Sequence, residues 1–237
     1  MSLVLTQGGG LPPTRWWWIR HAPVPDGGRI YGQGDLPCDC SDAQIFKVLA
    51  HELPKDAVWV TSNLLRTRQT AEAIIAGAPE RFFGVTPEAI PELAEQHLGD
   101  WQGLERKKFY EERGVGTHTL WFAPASERAP NGESFADLVT RVTPVIDDLN
   151  RRHRGRDIVA VTHGGTIRAA VAYALGLDPD GALSFSTENC SLTRLDYLLP
   201  SPDKPGAWRV GCVNHRPWHR GPHHAQSTDA PGGLQRA

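Results

Sequence analysis

The stretch Trp16-Trp17-Trp18-Ile19-Arg20-His21 is an apolar run that stops at an arginine–histidine pair, and the chain repeats the pattern far downstream in Ile158-Val159-Ala160-Val161-Thr162-His163-Gly164-Gly165. Continuous apolar runs bounded by polar or glycine residues read as strands buried on both faces, as in a parallel sheet covered by helices. Ligands of open α/β sheets bind beyond the carboxyl ends of the strands. His21 and His163 are therefore expected to meet at one sheet edge. Arg20 makes an anion the expected ligand, because the guanidinium offers a planar fork of donors that fits phosphate in a bidentate way. The chemistry this suggests is phosphoryl transfer through a phosphohistidine.

Outward from these two strands, short apolar runs alternate with stretches of helical period, the α/β signature. Strands are expected at Arg15–Ile19, Ala57–Thr61, Asp157–Thr162, Ser191–Tyr197 and, more weakly patterned, Trp208–Val213; helices at Ser41–His51, Leu64–Ala76, Ser134–Arg152 and Thr166–Leu175. The expected fold is a three-layer α/β/α domain with a mostly parallel sheet, covering residues 14–213. Residues 101–131 carry charges, aromatics, Gly and Pro without one period, and are expected to form a small helical insertion over the sheet edge that shapes substrate choice. Residues 1–13, with Gly8-Gly9-Gly10, read as a flexible leader, and the His-, Pro- and Gly-rich residues 214–237 as a disordered tail, because such a composition buries too little apolar surface to balance the entropy of ordering.

A chain of 237 residues that is 40% hydrophobic and 22% charged can bury a full core. A net charge of -2 argues against a nucleic-acid binder held by a basic field. Arg151-Arg152-His153-Arg154 fits a solvated helix end, where cations complement the macrodipole. Cys38, Cys40, Cys190 and Cys212 form no Cys-x-x-Cys pair and read as reduced thiols of a cytoplasmic protein. No stretch approaches the roughly 20 apolar residues of a membrane span, and the start lacks the pattern of a secretory signal. The tail histidines His215, His219, His223 and His224 match no defined metal spacing, so no metal and no cofactor are expected. Trp16-Trp17-Trp18 is read as the sheet centre rather than a ligand platform, since aromatics favour strands.

Two further constellations raise the weight of the histidines. Ser62-Asn63-Leu64-Leu65-Arg66-Thr67-Arg68-Gln69-Thr70-Ala71 follows the strand at Ala57–Thr61, so Arg66 falls in the first helical turn, where unpaired N–H groups and the dipole favour anions. In Leu93-Ala94-Glu95-Gln96-His97-Leu98-Gly99-Asp100-Trp101-Gln102-Gly103 a carboxylate precedes a Gly-x-Trp-x-Gly turn. A carboxyl group in such a partly apolar setting can donate a proton to a leaving oxygen, and Glu92 competes with Glu95 for that role. Arg168, early in the helix after Gly165-Thr166, could touch a substrate, but arginines so placed more often face solvent or a neighbouring carboxylate.

These four motifs, in this order, resemble the histidine phosphatase superfamily, the group that includes cofactor-dependent phosphoglycerate mutases, over about Thr14 to Tyr197. Asn131-Gly132-Glu133-Ser134 and Asn189-Cys190-Ser191-Leu192-Thr193-Arg194-Leu195 match further. The compact length and Gly-Asp-Trp stretch look most like the α-ribazole phosphatase branch of cobalamin nucleotide-loop assembly. The resemblance implies that His21 attacks phosphorus, that Arg20, Arg66 and His163 hold the equatorial oxygens, and that Glu95 protonates the leaving alkoxide and then activates water. Two guanidiniums and a second imidazole can balance a phosphate dianion, so positioning and electrostatics carry the catalysis. His21 must be unprotonated to attack, which calls for a nearby carbonyl or carboxylate to fix its tautomer.

The chain departs from the pattern in reading Arg20-His21-Ala22-Pro23-Val24 where members commonly read Arg-His-Gly-Glu-Thr, in Gly27 for a usual Asn, and in Gln102 for the Glu of Trp-Glu-Gly. The usual Gln-Gly pair aligns with either Gln33-Gly34 or Tyr31-Gly32, so no phosphate contact is assigned within residues 22–34. The expected activity is a metal-independent phosphomonoesterase acting on a small phosphate ester, with α-ribazole 5′-phosphate the favoured substrate. A phosphoglycerate mutase and a non-catalytic phospho-ligand binding module are the alternatives. No membrane or nucleic-acid partner is expected, and a homodimer is compatible with the sequence.

Overall fold

A computed structural model describes residues 11–113 and 121–219. One six-stranded sheet runs in the order β3-β2-β4-β1-β5-β6, formed by β1 (Thr14–Arg20), β2 (Val58–Thr61), β3 (Glu88–Ala89), β4 (Asp157–Thr162), β5 (Leu192–Leu198) and β6 (Ala207–His215). β1, β4, β2 and β3 pair in parallel, whereas β5 is antiparallel to β1 and β6 to β5. The helices are α1 (Ala43–Glu52), α2 (Leu65–Gly77), α3 (Arg106–Arg113), α4 (Phe135–Arg152), α5 (Gly164–Leu175) and the short α6 (Pro179–Ala182).

Alternation along β1 divides the core. Trp16 and Trp18 have no exposed surface and stack with centroids 4.7 Å apart. They pack with Phe135, Leu138, Val142 and Ile146 of α4 and Ile167 and Val171 of α5. The Trp16 indole N–H donates to Asn150 at 2.9 Å, which removes the penalty of burying that donor. On the opposite face Ile19, Val159 and Val161 meet Phe46 and Leu49 of α1 and Ala71 and Ile74 of α2, with Trp17 at the margin. Helices on both faces of the sheet give the three layers. α4 starts with a reciprocal cap in which Ser134 and Asp137 satisfy each other's backbone N–H groups.

Parallel register aligns the strand ends that matter. Arg20 lies opposite Thr162 and Thr61 opposite Val161, so His21, Ser62 and His163 all leave the sheet at one edge. The His21 N–H donates to the Thr162 carbonyl at 2.9 Å.

The nine expected strands and helices occur with ends displaced by at most two residues. β3 and α6, each a few residues long, were not expected. In the insertion α3 brings Phe109 against Trp101, Ile30, Leu98 and Ala129 in a small aromatic cluster; residues 114–120 lie outside the described residues. So do residues 1–10 of the expected leader and 220–237 of the tail, with His223 and His224. The tail expected from residue 214 begins inside β6, which runs to His215, and Trp218 packs partly buried against the α1–α2 side of the core. Side-chain packing there continues the domain past Val213. Among the described residues no helix is long and apolar enough to cross a membrane, and no group of three or more His, Cys, Asp or Glu residues is arranged to hold a metal ion.

Candidate active site

His21 is buried directly after β1. Its Nδ1 lies 2.7 Å from the carbonyl oxygen of Ala22. A carbonyl only accepts, so Nδ1 carries the hydrogen and Nε2 keeps its lone pair. Burial above all, then the charges of Arg66 and Arg20, hold the imidazole's pKa well below its ordinary value, so the ring is neutral at neutral pH. The required tautomer is thus set by the adjacent residue's own carbonyl. The next turn is held by Asn189, whose amide donates to the His21 carbonyl at 2.8 Å, and by Thr70, whose hydroxyl accepts from the Ala22 N–H at 2.8 Å.

His163 lies with its ring centroid 5.2 Å from that of His21. The expected convergence of the two imidazoles is present. β4 ends at Thr162 and α5 begins at Gly164, leaving His163 as the residue that caps the helix. The Nε–H of Arg66 donates to His163 Nδ1 at 3.3 Å, so Nε2 bears the proton and donates to Ser62 Oγ at 2.8 Å. The Ser62 hydroxyl can then donate to Thr67 Oγ1 at 3.0 Å, which donates to the Leu64 carbonyl at 2.8 Å. Every proton in this chain runs one way. Burial first, then Arg66, His21, Arg20 and Arg141, also keep His163 neutral.

Arg66 is fully buried in the first turn of α2. Its two terminal nitrogens donate to the carbonyls of Gly34 at 2.8 Å and Gly32 at 2.7 Å, and the guanidinium lies over the Tyr31 ring. Both candidate Gln-Gly alignments therefore fall on the loop that seats this arginine. Gln102 accepts the Gln33 N–H at 2.7 Å and so braces the same loop.

Glu95 sits between two 3-10 turns, Pro91–Leu93 and Gly99–Trp101. Its carboxylate accepts the Gly165 N–H, at 3.1 and 3.2 Å from the two oxygens, and the Gln96 N–H at 2.9 Å. It thus occupies the N-terminus of α5, where the dipole favours negative charge. A Cβ at Gly165 would stand 2.2 Å from Glu95 Oε1, so only glycine lets the acid this close. Arg141 donates to the carbonyls of Glu92, Ala94 and Glu95, which fixes the loop. Glu92 is the competitor that falls outside: its side chain is exposed.

Arg20 donates to the Thr187 carbonyl at 2.6 Å, while its Nε and the Thr187 hydroxyl are buried without a hydrogen-bond partner among the described residues. A Cβ at Gly164 would lie 3.5 and 3.1 Å from these two atoms, so the glycine is closely covered by them. Arg168 Nη1 stands 3.3 Å from the same point. Arg168, expected to touch a substrate or to face solvent or a neighbouring carboxylate, is partly buried: its Nε donates to the Phe185 carbonyl at 2.7 Å and its guanidinium lies over the Trp121 ring at 4.6 Å. Ser62 opens the stretch quoted for Arg66 but was given no role there, and Thr187 was not anticipated. A lone hydroxyl has no spacing signature, and their partners are remote in sequence.

Five sequence-expected residues, Arg20, His21, Arg66, Glu95 and His163, thus line one strand-end region with donors and an acid at the mouth of α5. A protein of Photorhabdus laumondii subsp. laumondii named probable phosphoglycerate mutase GpmB is 30% identical over 79% of this chain and 86% of its own length. The solved mycobacterial glucosyl-3-phosphoglycerate phosphatase is 27% identical, superposes with a TM-score of 0.70, and is covered over 99% of its length by 85% of this chain. The α-ribazole phosphatase of Shigella flexneri shares the fold at a TM-score of 0.68 and 22% identity, over 86% of this chain and 97% of its own. With residues 16–203 matching the family as a whole, the chain belongs to the histidine phosphatase superfamily (branch 1).

Proposed function

We propose that this chain hydrolyses small phosphate monoesters by way of a phosphohistidine at His21. The observation that carries the reading is the state of His21: neutral, its Nδ1–H held by Ala22, its Nε2 lone pair unused, and Arg66-bound His163 beside it. Nε2 attacks phosphorus in line while Arg20 and Arg66 hold the equatorial oxygens; His163, expected to hold one directly, has Nδ1 accepting from Arg66 and Nε2–H donating to Ser62 and so acts by orienting Arg66. Arg66 spends three N–H groups on protein partners and retains two for the ligand. Glu95 gives its proton to the leaving alkoxide; as a carboxylate it then takes one from the water whose oxygen attacks phosphorus, which breaks the phosphorus–nitrogen bond, returns the electron pair to His21 Nε2 and frees phosphate. Fixed guanidiniums and the helix terminus supply the positive potential without rearrangement.

The substrate is placed no more narrowly than a small phosphate ester by these groups. α-Ribazole 5′-phosphate stays the specific candidate from the motif resemblance, and phosphoglycerates enter from the names of the 30% and 27% identical relatives. The test is hydrolysis of p-nitrophenyl phosphate in EDTA together with acid-labile, alkali-stable phosphate on the quenched protein. Wild type is expected to show both and His21→Ala neither. Unchanged turnover in His21→Ala refutes the reading, and turnover only with a bisphosphoglycerate primer replaces it by a mutase.

A further inference from the structure

Three of the four cysteines gather on the α1–α2 side of the sheet, behind the loop that follows His21. Cys38 and Cys40 are partly exposed and pack against the core face that buries Cys190. The Sγ atoms of Cys38 and Cys40 lie 3.5 Å apart. The Cys38 thiol donates to the Arg66 carbonyl at 3.3 Å, which leaves its sulfur to accept from the Cys40 thiol. The chemistry at His21 uses none of these sulfurs.

The pair is tied to the phosphoryl site through the backbone. Thr70 Oγ1 lies 3.5 Å from Cys38 Sγ and accepts the N–H of Ala22, whose carbonyl sets the His21 tautomer. Asp39, between the two cysteines, donates its N–H to the Pro23 carbonyl at 2.7 Å. The Cys38 N–H donates to Gln69 of α2 at 3.0 Å. Residues 38–40 therefore join the loop after the nucleophile to the helix that carries Arg66. Burial, then the contact with Cys38, pushes the Cys40 thiol up to about 12, so it keeps its proton and Cys38 is the first to react. Cys190 is buried, its thiol likewise pushed up to about 12, and is closed to oxidants in solvent.

We propose that Cys38 and Cys40 are an oxidative modification site, a dithiol that hydrogen peroxide closes to a disulfide, and that closing it reversibly disables the phosphoryl site. The proposal rests on the phosphatase reading of that site. Cys38 sulfur attacks one peroxide oxygen; the sulfur–oxygen bond forms as the O–O bond breaks, and the departing hydroxide leaves with the thiol proton as water. Cys40 sulfur then displaces the hydroxyl group of the sulfenic acid, the S–S bond forming as the S–O bond breaks, and its proton leaves in a second water. The two thiols lose two electrons, which reduce the peroxide. The sulfurs must close by about 1.5 Å from their present separation, and Cys38 gives up the hydrogen bond to Arg66. A cross-link over one intervening residue gains little chain entropy, so a dithiol reductant reopens it readily.

Reduced wild type, Cys40→Ser and Cys212→Ser are treated with hydrogen peroxide and then with dithiothreitol. Peptide mass, calorimetric affinity for inorganic phosphate and kcat/KM for p-nitrophenyl phosphate are read at each stage. Wild type and Cys212→Ser are expected to lose about 2 Da in the peptide that holds residues 38–40. Their kcat/KM and phosphate affinity should fall about tenfold or more, the scale of a displaced positioning group, and dithiothreitol should restore both. Cys40→Ser starts with ordinary activity and shows no loss that dithiothreitol reverses. Absence of the bond, pairing of Cys38 with Cys190 instead, a bond that leaves affinity and turnover unchanged, or an equal reversible loss in Cys40→Ser each overturns the proposal. Wild type that loses phosphate affinity on closing the bond but never hydrolyses p-nitrophenyl phosphate removes the phosphatase and keeps the modification site; hydrolysis that the bond does not touch does the reverse.

Discussion

Gly165→Ala tests the role of Glu95 without altering Glu95. The new Cβ would lie 2.2 Å from Glu95 Oε1, 3.3 Å from its Cδ and 2.9 Å from Leu138 Cδ2. An ordinary contact needs the carboxylate to retreat by about 1 Å, and a displacement of that size at a reacting group can cost about a hundredfold in rate. Stability should move much less. Oε1 is the end of a flexible side chain, and alanine is better than glycine in a helix by about 1 kcal/mol, which works against the packing strain at Leu138. A melting shift within about 4 °C is expected for a domain of this size.

The diagnostic quantity is the dependence on the leaving group. An alkoxide cannot depart without a proton, whereas p-nitrophenolate is stable enough to leave without one. kcat/KM reports steps up to that departure and is not blurred by the later role of Glu95 toward water. Gly165→Ala is expected to lower kcat/KM for an alkyl phosphate by about two orders of magnitude, within the range of general-acid contributions. For p-nitrophenyl phosphate the loss should stay below about tenfold, since positioning by Arg20 and Arg66 is untouched. An equal loss on both esters would refute the reasoning by showing that the methyl group disturbs the phosphoryl site, and no loss on either would remove Glu95 as the acid.

Two other outcomes follow from the buried imidazoles. Ser62→Ala leaves His163 Nε2–H and the Leu64 N–H without their shared acceptor, so unfolding by urea should show about 1–3 kcal/mol less stability, the cost of orphaned buried donors. His21 and His163 both have pKa values below the ordinary value of 6.5, so on acidification the unfolded chain takes up protons that the native state refuses. Stability should therefore fall as pH drops below about 6.5, with a slope of up to about 1.4 kcal/mol per pH unit for each histidine, read from denaturation midpoints across that range. A flat profile there would mean that both rings take up protons in the folded protein as they do in the unfolded chain, and half the slope that one of them does.

The legible parts of this molecule are those whose signal is local. β1 and β4 announce themselves because strands buried on both faces must be apolar at nearly every position, and parallel pairing then forces Arg20 against Thr162 and the two histidines together. The same logic placed Arg66 at a helix start. β3 is two exposed residues, and no side-chain pattern marks it. Ser62 reaches His163 across 101 positions through a single hydroxyl, which no spacing rule encodes. Arg168 was left open between substrate, solvent and a carboxylate for a related reason: helical period says which face it occupies, but not that Trp121 and Phe185, from two other segments, hold it there. The departure at Gln102 could be read only as a doubt, and proves to brace the Gly32–Gln33 loop under Arg66.

Charge balance joins the acid to the third arginine. The chain carries a net charge of -2, yet the site gathers the guanidiniums of Arg20, Arg66 and Arg168 with the carboxyl group of Glu95, while Asp35 acts on Arg66 from the start of α2 and both imidazoles are neutral. When Glu95 holds the proton it is to donate, three positive charges face the substrate. A phosphate dianion neutralises two of them. Proton transfer to the leaving alkoxide then leaves a negative charge on Glu95, which offsets the third while Arg20 and Arg66 keep hold of the phosphoryl group.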